Sequence, residues 1–169
     1  MLPAKIKAFN LFIEGRGYAG EVEEVVPPKL GRKLEEHRAG GMDTPIKIDL
    51  GGTPLETDFT MSGVIVEMLK KYGVCDASGV SLRLKGSAET DDTCQMMPID
   101  ISMRGRIEEA DMGTWKAGDS NVQKFKLALT YYKLNINLQD VIEIDVPNMK
   151  FLIDGKDRFA ARRLALGMV

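Results

Sequence analysis

The chain has 169 residues, of which 44% are hydrophobic and 28% are charged, and its formal net charge at pH 7 is −2. This length fits a single domain, residues 1–169, built around one hydrophobic core. The slightly acidic net charge argues against a protein that binds nucleic acid tightly, because such binding needs many lysines and arginines. The apolar runs are too short for a membrane anchor.

The N-terminal segment has no pattern of a secretory signal. Its apolar patch, residues 1–13, is brief, and Lys5 and Lys7 interrupt it. We therefore expect synthesis in the cytoplasm of the cell that makes the protein.

Alternation of apolar and polar residues is the dominant pattern, and it predicts antiparallel strands separated by Gly, Pro, Asn and Asp. The alternating segments are 46–50, 55–59, 80–84, 99–103, 124–131 and 142–146. We expect the first two segments to form a hairpin around Gly51-Gly52. The last two should form a second hairpin that turns near residues 135–139.

One amphipathic helix is predicted between these strands, because apolar residues recur at helical spacing over 64–72. Ser62 or Thr60 could cap its start, and Gly73 suits its end. A weaker helical stretch covers 158–166. The expected fold class is mainly β, a barrel or sandwich of antiparallel strands with one flanking α-helix.

A glycine-rich segment, Gly15 to Gly20, matches the dinucleotide-binding pattern GxGxxG. That pattern requires a helix directly after it, but the next residues alternate with acidic side chains and reach Pro27-Pro28. A glycine-rich turn between strands is the favoured interpretation. A nucleotide-dependent enzyme that uses this turn remains a much weaker alternative.

Other residues that could take part in catalysis or metal binding are better explained as ordinary surface or loop residues. His37 is the only histidine and lies in a charged segment, which predicts a surface position. Cys75 and Cys94 lack metal-binding spacing and should be reduced thiols. We therefore expect no catalytic residues, no metal and no cofactor.

Three segments are unusual enough to suggest contacts with a partner. A long charged loop is predicted over 28–45. Met42 within this loop is predicted to be exposed, and nothing in the local pattern explains an exposed methionine there. The two ends, an N-terminal arm at about 1–13 and a C-terminal arm at about 150–169, are more apolar than solvated tails. These ends could dock on a neighbouring molecule.

These segments also carry a resemblance that covers nearly the whole chain. Its residues are Asn10-Leu11-Phe12, Pro28-Lys29-Leu30, Arg38 to Met42, Arg104-Gly105-Arg106, Glu109 with Asp111-Met112-Gly113, Gly118-Asp119, Tyr131 to Leu134, Ile142 to Asp145, Asn148, Asp154-Gly155 and Ala165-Leu166-Gly167. With them the sequence resembles the major tail tube proteins of contractile-tailed phages (the myovirus FII type) and of phage-tail-like bacteriocins. Where a tyrosine is usual in that family, before the Arg-Ala-Gly-Gly run, this chain has His37.

The resemblance implies a structural virion protein with a tail tube-like fold. Six subunits would form a ring, and stacked rings would form the inner tube of a contractile tail. The implied partners are further copies of the chain, the sheath protein, the tape-measure protein and the baseplate hub, with DNA as loosely contacted cargo. The implied contacts between subunits fall on Phe9, Leu11, Phe12, Arg38, Gly40, Gly41, Met42, Leu164 and Leu166.

A related alternative is a tube subunit of a secretion system of the type VI kind, whose rings would face proteins instead of DNA. Neighbouring genes for a sheath and a tape measure would favour the phage tail. For a DNA conduit we expect a neutral to acidic lumen, because a strongly basic wall would hold the DNA.

Overall fold

The computed structural model describes residues 1–168. Within this range twelve strands and two helices follow one another along the chain. They are β1 Lys5–Ile13, β2 Arg16–Gly17, β3 Val22–Val26, β4 Arg32–His37, β5 Ile46–Gly52, β6 Leu55–Ser62, α1 Val66–Lys70, β7 Val80–Glu89, β8 Met96–Asp111, β9 Val122–Ile136, β10 Gln139–Asp145, β11 Lys150–Ile153, β12 Lys156–Asp157 and α2 Ala160–Ala165. The predicted fold class, mainly antiparallel β with a flanking helix, is confirmed.

One large sheet runs in the order β12-β11-β10-β9-β8-β7-β1-β2, and every pairing in it is antiparallel. The sheet forks along the long strand β9. Residues 122–129 of β9 pair with β6, which pairs in turn with β3, whereas residues 131–136 pair with β10. The two branches curve around a single hydrophobic core.

The core is built from the alternating apolar residues of the central strands. Phe59 and Phe125 are both nearly fully buried, and their ring centroids lie 5.4 Å apart. Helix α1 covers this core with Met68, which is fully buried, and Met61 and Met103 are buried beside it.

The hairpin predicted over 124–146 is confirmed, because β9 and β10 pair around Asn137 and Leu138, which both have positive φ angles. The hairpin predicted over 46–59 is wrong. Strand β5 pairs with β4, and β6 pairs with β3 and β9. The two glycines continue the extended chain of β5 instead of reversing it.

The predicted long loop 28–45 is also corrected, since residues 32–37 form β4. Every residue of β4 is exposed, so the strand lacks the apolar alternation that would have marked it. The predicted N-terminal arm 1–13 mostly forms β1, inside the large sheet. The predicted C-terminal arm contains β11, β12 and α2, and its last residue, Val169, lies outside the described residues.

The predicted central helix forms as α1 but is shorter than expected. Neither Ser62 nor Thr60 caps it, since the N-cap residue is Ile65 and makes no side-chain capping bond. Gly73 follows α1 with a φ of 82°, and Gly167 follows α2 with a φ of 71°. Glycines just after a helix end commonly have such positive φ angles. Neither helix in residues 1–168 has the length and apolar character needed to cross a membrane.

Candidate assembly surfaces

The large sheet has one face on the core and an opposite face that carries mostly polar side chains, here called the polar face. Its residues follow from the register, since directly paired residues share a face. Lys85, Asp100, Asn135 and Asp140 form one row across β7, β8, β9 and β10. Such rows place charged groups of neighbouring strands side by side over the whole sheet.

Ion pairs and hydrogen bonds connect these rows. The Arg83 guanidinium donates to both oxygens of Asp100, with Nε to Oδ1 at 2.9 Å, and this contact raises the pKa of Arg83. Asn135 donates to Asp140 at 2.8 Å, and chiefly for this reason the pKa of that carboxyl is lowered. Arg83 and Asp140 therefore remain charged at neutral pH.

Arg104, Tyr131 and Glu143 form a second cluster on the polar face. The guanidinium carbon of Arg104 lies 4.1 Å from the centroid of the Tyr131 ring, within cation–π range. The Tyr131 hydroxyl donates to Oε1 of Glu143 at 3.0 Å. Burial, followed by this hydrogen bond, raises the pKa of Tyr131 to about 12, so the phenol stays neutral.

Basic and acidic side chains are nearly equal in number on this face, so no large field of one sign develops. The basic members are Lys5, Arg83, Lys85, Arg104, Arg106, Lys124, Lys126, Lys133 and Lys150, and the acidic ones are Glu24, Glu56, Asp58, Glu89, Asp100, Glu109, Asp111, Asp140, Glu143, Asp145 and Asp157. Such a surface attracts a polyanion weakly, because the carboxylates offset the basic groups.

Strand β1 leaves one edge of the large sheet largely open. Its partner β2 pairs only with Phe12 and Ile13, and the Leu11 carbonyl accepts a hydrogen bond from the Tyr18 amide at 2.9 Å. Among the described residues, 5–10 therefore pair with β7 alone. Unpaired backbone N–H and C=O groups on such an edge can add a strand from another molecule. Phe9 lies on this edge and is exposed.

The termini place the predicted contact residues in different environments. Leu11, one of the predicted contacts between subunits, is fully buried in the core of the single chain. Phe12 is half-buried on the polar face, with the Lys85 Nζ 5.9 Å from its ring centroid. Leu164 and Leu166, at α2, are 75% and 60% exposed and available for contact.

The predicted contact residues Arg38, Gly40, Gly41 and Met42 lie together at the tip of the β4–β5 hairpin, here called the ribbon. The Met42 amide donates to the Ala39 carbonyl, Arg38 Nε donates to the Met42 carbonyl at 3.3 Å, and Gly41 has a φ of 85°. Met42 is half-buried in this turn, although the sequence suggested full exposure.

The other residues considered in the sequence analysis lie in turns, on the ribbon and in exposed loops. Gly15 and Gly20 have positive φ angles in turns that flank β2, and strand β3 follows them where a nucleotide site would need a helix. His37 is exposed on β4, and Cys75 and Cys94 are exposed free thiols. Residues 1–168 contain no group of three His, Cys, Asp or Glu placed to hold a metal ion.

Two further surfaces were missed by sequence reasoning. Ile46, Ile48 and Leu50 on the ribbon are 53%, 42% and 52% exposed, although their alternation predicted a strand paired with residues 55–59. An apolar groove of about 800 Å³ lies between the foot of the ribbon, the fork of the sheet and α2. Its walls come from segments far apart in the sequence, so no local pattern could reveal it.

Comparison with known proteins shows a match to a family model described as phage tail tube protein FII, over residues 3–167. The tail tube protein of Escherichia phage P2 is 34% identical over 99% of this chain and 99% of its own length. The major tail tube protein of Serratia phage KSP20 is 35% identical over 99% of this chain and 98% of its own length.

Solved structures share the fold at much lower sequence identity. A chain in the sheath–tube complex of an extracellular contractile injection system is 10% identical, with a TM-score of 0.59 over 79% of this chain and 91% of that chain. A chain of the tube-terminating cap of the anti-feeding prophage is 8% identical, with a TM-score of 0.60 over 80% of this chain and 92% of that chain.

Proposed function

The chain belongs to the phage tail tube protein FII family and is a structural tail tube protein; from this premise we propose that six copies form a ring and that stacked rings form the inner tube of a contractile phage tail. In this role the protein acts as a conduit and transforms nothing chemically. It is made in the host cytoplasm and ends in the tail of the virion.

The observation that carries this proposal is the large sheet with a polar face opposite the core and an open edge at β1. If the sheets of neighbouring subunits join edge to edge around a closed ring, the backbone groups of residues 5–10 gain partners. The polar face then lines the lumen, and the core face stays packed inside each subunit. Phe9 lies at the joint between two subunits.

The near balance of charge on the polar face suits a conduit for DNA. A wall rich in lysine and arginine would bind the phosphates by releasing counterions and would hold the DNA in place. Here the carboxylates offset the basic groups, and ion pairs such as that between Arg83 and Asp100 occupy them. The tape-measure protein fills the lumen first, and DNA passes after it.

The outside and the ends of the tube meet the other partners, which are the sheath protein and the baseplate hub. The structural relatives include chains from a sheath–tube complex and a baseplate, and this supports a comparable assembly here. The injection-system chains share the fold at about 10% identity, whereas the phage proteins are 34% and 35% identical over nearly the full length. The stronger likeness favours a phage tail over a secretion apparatus.

The first experiment is negative-stain electron microscopy of the purified protein at rising concentration, with light scattering in parallel. We expect rings or hollow tubes of uniform diameter, with six-fold symmetry in end views. If the protein stays monomeric, purified baseplate is added as an initiator. Failure to extend a tube from the baseplate would contradict the proposal.

A further inference from the structure

Strand β1, at the open edge of the large sheet, is interrupted by a β-bulge. Its pairing with β7 shifts register between Ile6 and Ala8, and Lys7 between them has no paired residue in β7. A bulge inserts an extra residue, bends the strand and breaks the even spacing of its N–H and C=O groups. The open edge is therefore regular over Ala8 to Asn10 but not over residues 5–7.

The bulge is held by the tip of the neighbouring β7–β8 hairpin, residues 90–95, here called the acidic tip. The Lys7 ammonium donates a hydrogen bond to Oδ1 of Asp91 and lies 3.9 Å from Oε2 of Glu89. The Leu2 backbone amide donates to Oδ2 of Asp92 at 3.0 Å. These contacts of Lys7 and Leu2, here called the latch, hold residues 1–7 against the hairpin at two points.

The acidic tip is closed by its own backbone hydrogen bonds. The Cys94 amide donates to the Thr90 carbonyl at 3.0 Å, and the Thr90 amide donates to the Gln95 carbonyl at 3.2 Å. An ordered tip places its carboxylates in fixed positions beside residues 1–7. The pKa of Lys7 is raised, first by its hydrogen bond to Asp91, so the ammonium stays charged at neutral pH.

Residues 1–7 also have the features with which proteins prevent unwanted pairing at a sheet edge. Bulges, prolines and lysines commonly protect such edges. Pro3, Lys5 and Lys7 lie in this segment together with the bulge. Ala8 to Asn10, the regular part of the open edge, contain neither proline nor lysine. The protective features are therefore confined to the part of the chain that the latch holds.

The latched segment leaves apolar side chains in water. Leu2 and Ile6 are 51% and 63% exposed in the single chain. A neighbouring subunit that joins along the whole of β1 would remove such side chains from water, which is favourable. This gain can offset the loss of the latch contacts when subunits assemble, but a free subunit has no such gain.

We propose that residues 1–7, held by the latch, protect the open edge of the free subunit, and that the latch opens when the subunit joins a tube. This inference rests on the proposed function and describes how its self-assembly is restrained. A molecule that must open before it binds has an apparent affinity reduced by the fraction of molecules already open. The latch therefore keeps dissolved subunits apart at concentrations at which an unlatched chain would polymerise.

The test measures the concentration of free subunits that remains at equilibrium with tubes grown from purified baseplate, after the tubes are removed by sedimentation. Lys7→Ala removes the ion pairs of the latch. Lys5→Ala is the matched control, because Lys5 is exposed on the same strand and pairs with no carboxylate among residues 1–168. Both variants remove one positive charge from β1, so the loss of the latch distinguishes them.

We expect Lys7→Ala to leave roughly three- to tenfold less free subunit than Lys5→Ala, because each exposed ion pair contributes little and the variant removes two of them. Amide hydrogen exchange over residues 5–8 of the dissolved Lys7→Ala subunit should also be faster than in Lys5→Ala. Tubes that form with an equal or higher free concentration of Lys7→Ala would overturn this inference and leave the proposed function standing. If the unmodified chain extends no tube from a baseplate, the proposed function fails and this inference fails with it.

Discussion

The backbone amide of Ile65 donates a hydrogen bond to Oε1 of Gln123 at 2.8 Å, and both groups are buried. Ile65 is the N-cap residue of α1, and Gln123 lies near the start of β9. The first N–H groups of a helix lack partners within the helix. A side chain from the sheet therefore satisfies one of them and fixes the helix to the core.

Replacing Gln123→Leu should destabilise the protein by about 1–3 kcal/mol, because it leaves the buried Ile65 amide without an acceptor. Urea unfolding measures this change. Thr60→Ala is the matched control, since Thr60 was also a cap expected from sequence but does not cap the helix. A loss equal to that of the control would contradict the role of Gln123.

A second prediction concerns Gly105, at the irregularity where β8 and β9 change register. A Cβ atom there would lie 2.2 Å from the Ala128 carbonyl oxygen and 2.8 Å from the Leu129 Cα. Both are backbone atoms and cannot rotate away. Gly105→Ala should therefore cost about 1–3 kcal/mol or more in unfolding free energy.

Its control is Gly40→Ala at the ribbon tip, where an added Cβ meets open space and φ is not in the left-handed region. This variant should have near-wild-type stability. If both variants unfold at the same urea concentration, the close approach of β8 and β9 at Gly105 is not a constraint.

The strands of the core could be predicted from sequence because they alternate strictly. In β7, Val80, Leu82 and Leu84 are buried while the residues between them are exposed. The β9–β10 hairpin followed from the same signal on both sides of a short polar turn. Local pattern is sufficient wherever one face of a strand meets the core and the other does not.

The ribbon could not be predicted, because its strands have no core face. Strand β4 is exposed at every residue, and the apolar residues Ile46, Ile48 and Leu50 of β5 alternate like those of a strand in the main sheet. Alternation tells which side chains share a face but not what covers that face. The groove and the Gln123 contact depend on residues far apart in the chain, so only the fold brings them together.

A third prediction concerns stability at high pH. The pKa of Tyr131 is raised from 10.0 to about 12, chiefly by burial and then by the hydrogen bond to Glu143. Between these values the unfolded chain loses the phenol proton while the folded chain keeps it. Folding stability must therefore fall as pH rises through this range, and this contribution is fully present below pH 10.

The variant Tyr131→Phe should lose less stability than the wild type between pH 10 and 12, because it has no phenol to ionise. At neutral pH it should be about 0.5–1.5 kcal/mol less stable, since the bond to Glu143 is missing. Urea unfolding at both pH values measures the difference, with Tyr72→Phe at an exposed position as control. Parallel pH profiles for all three proteins would contradict the assignment.

A fourth prediction tests the charge of the proposed lumen. Glu109 lies on the polar face and is exposed. Glu109→Lys would add positive charge at the same level in every subunit of a ring and should slow DNA ejection, most strongly at low salt. Glu109→Gln, which removes charge without adding a base, is the matched control. Equal ejection rates for the lysine variant and the wild type would show that the charge of the lumen does not control DNA ejection.

The last prediction concerns how the C-terminal helix is held. Arg163 on α2 pairs with Asp157 through both guanidinium NH groups and donates to the Met149 carbonyl at 3.1 Å. The pKa of Asp157 is lowered, first by its hydrogen bond from Arg163. This pairing stabilises the folded state at neutral pH, and the stabilisation is lost as acid protonates the carboxyl.

Arg163→Ala should therefore speed amide hydrogen exchange over 160–165, because a six-residue helix has little stability without tertiary contacts. Arg158→Ala, an exposed arginine just before the helix, is the control and should leave exchange unchanged. The stacked rings of Phe151 and Phe159, 5.1 Å apart, would still hold the start of α2. Faster exchange should therefore be greatest toward Leu164, and exchange equal to that of the wild type across the helix would show that Arg163 does not anchor it.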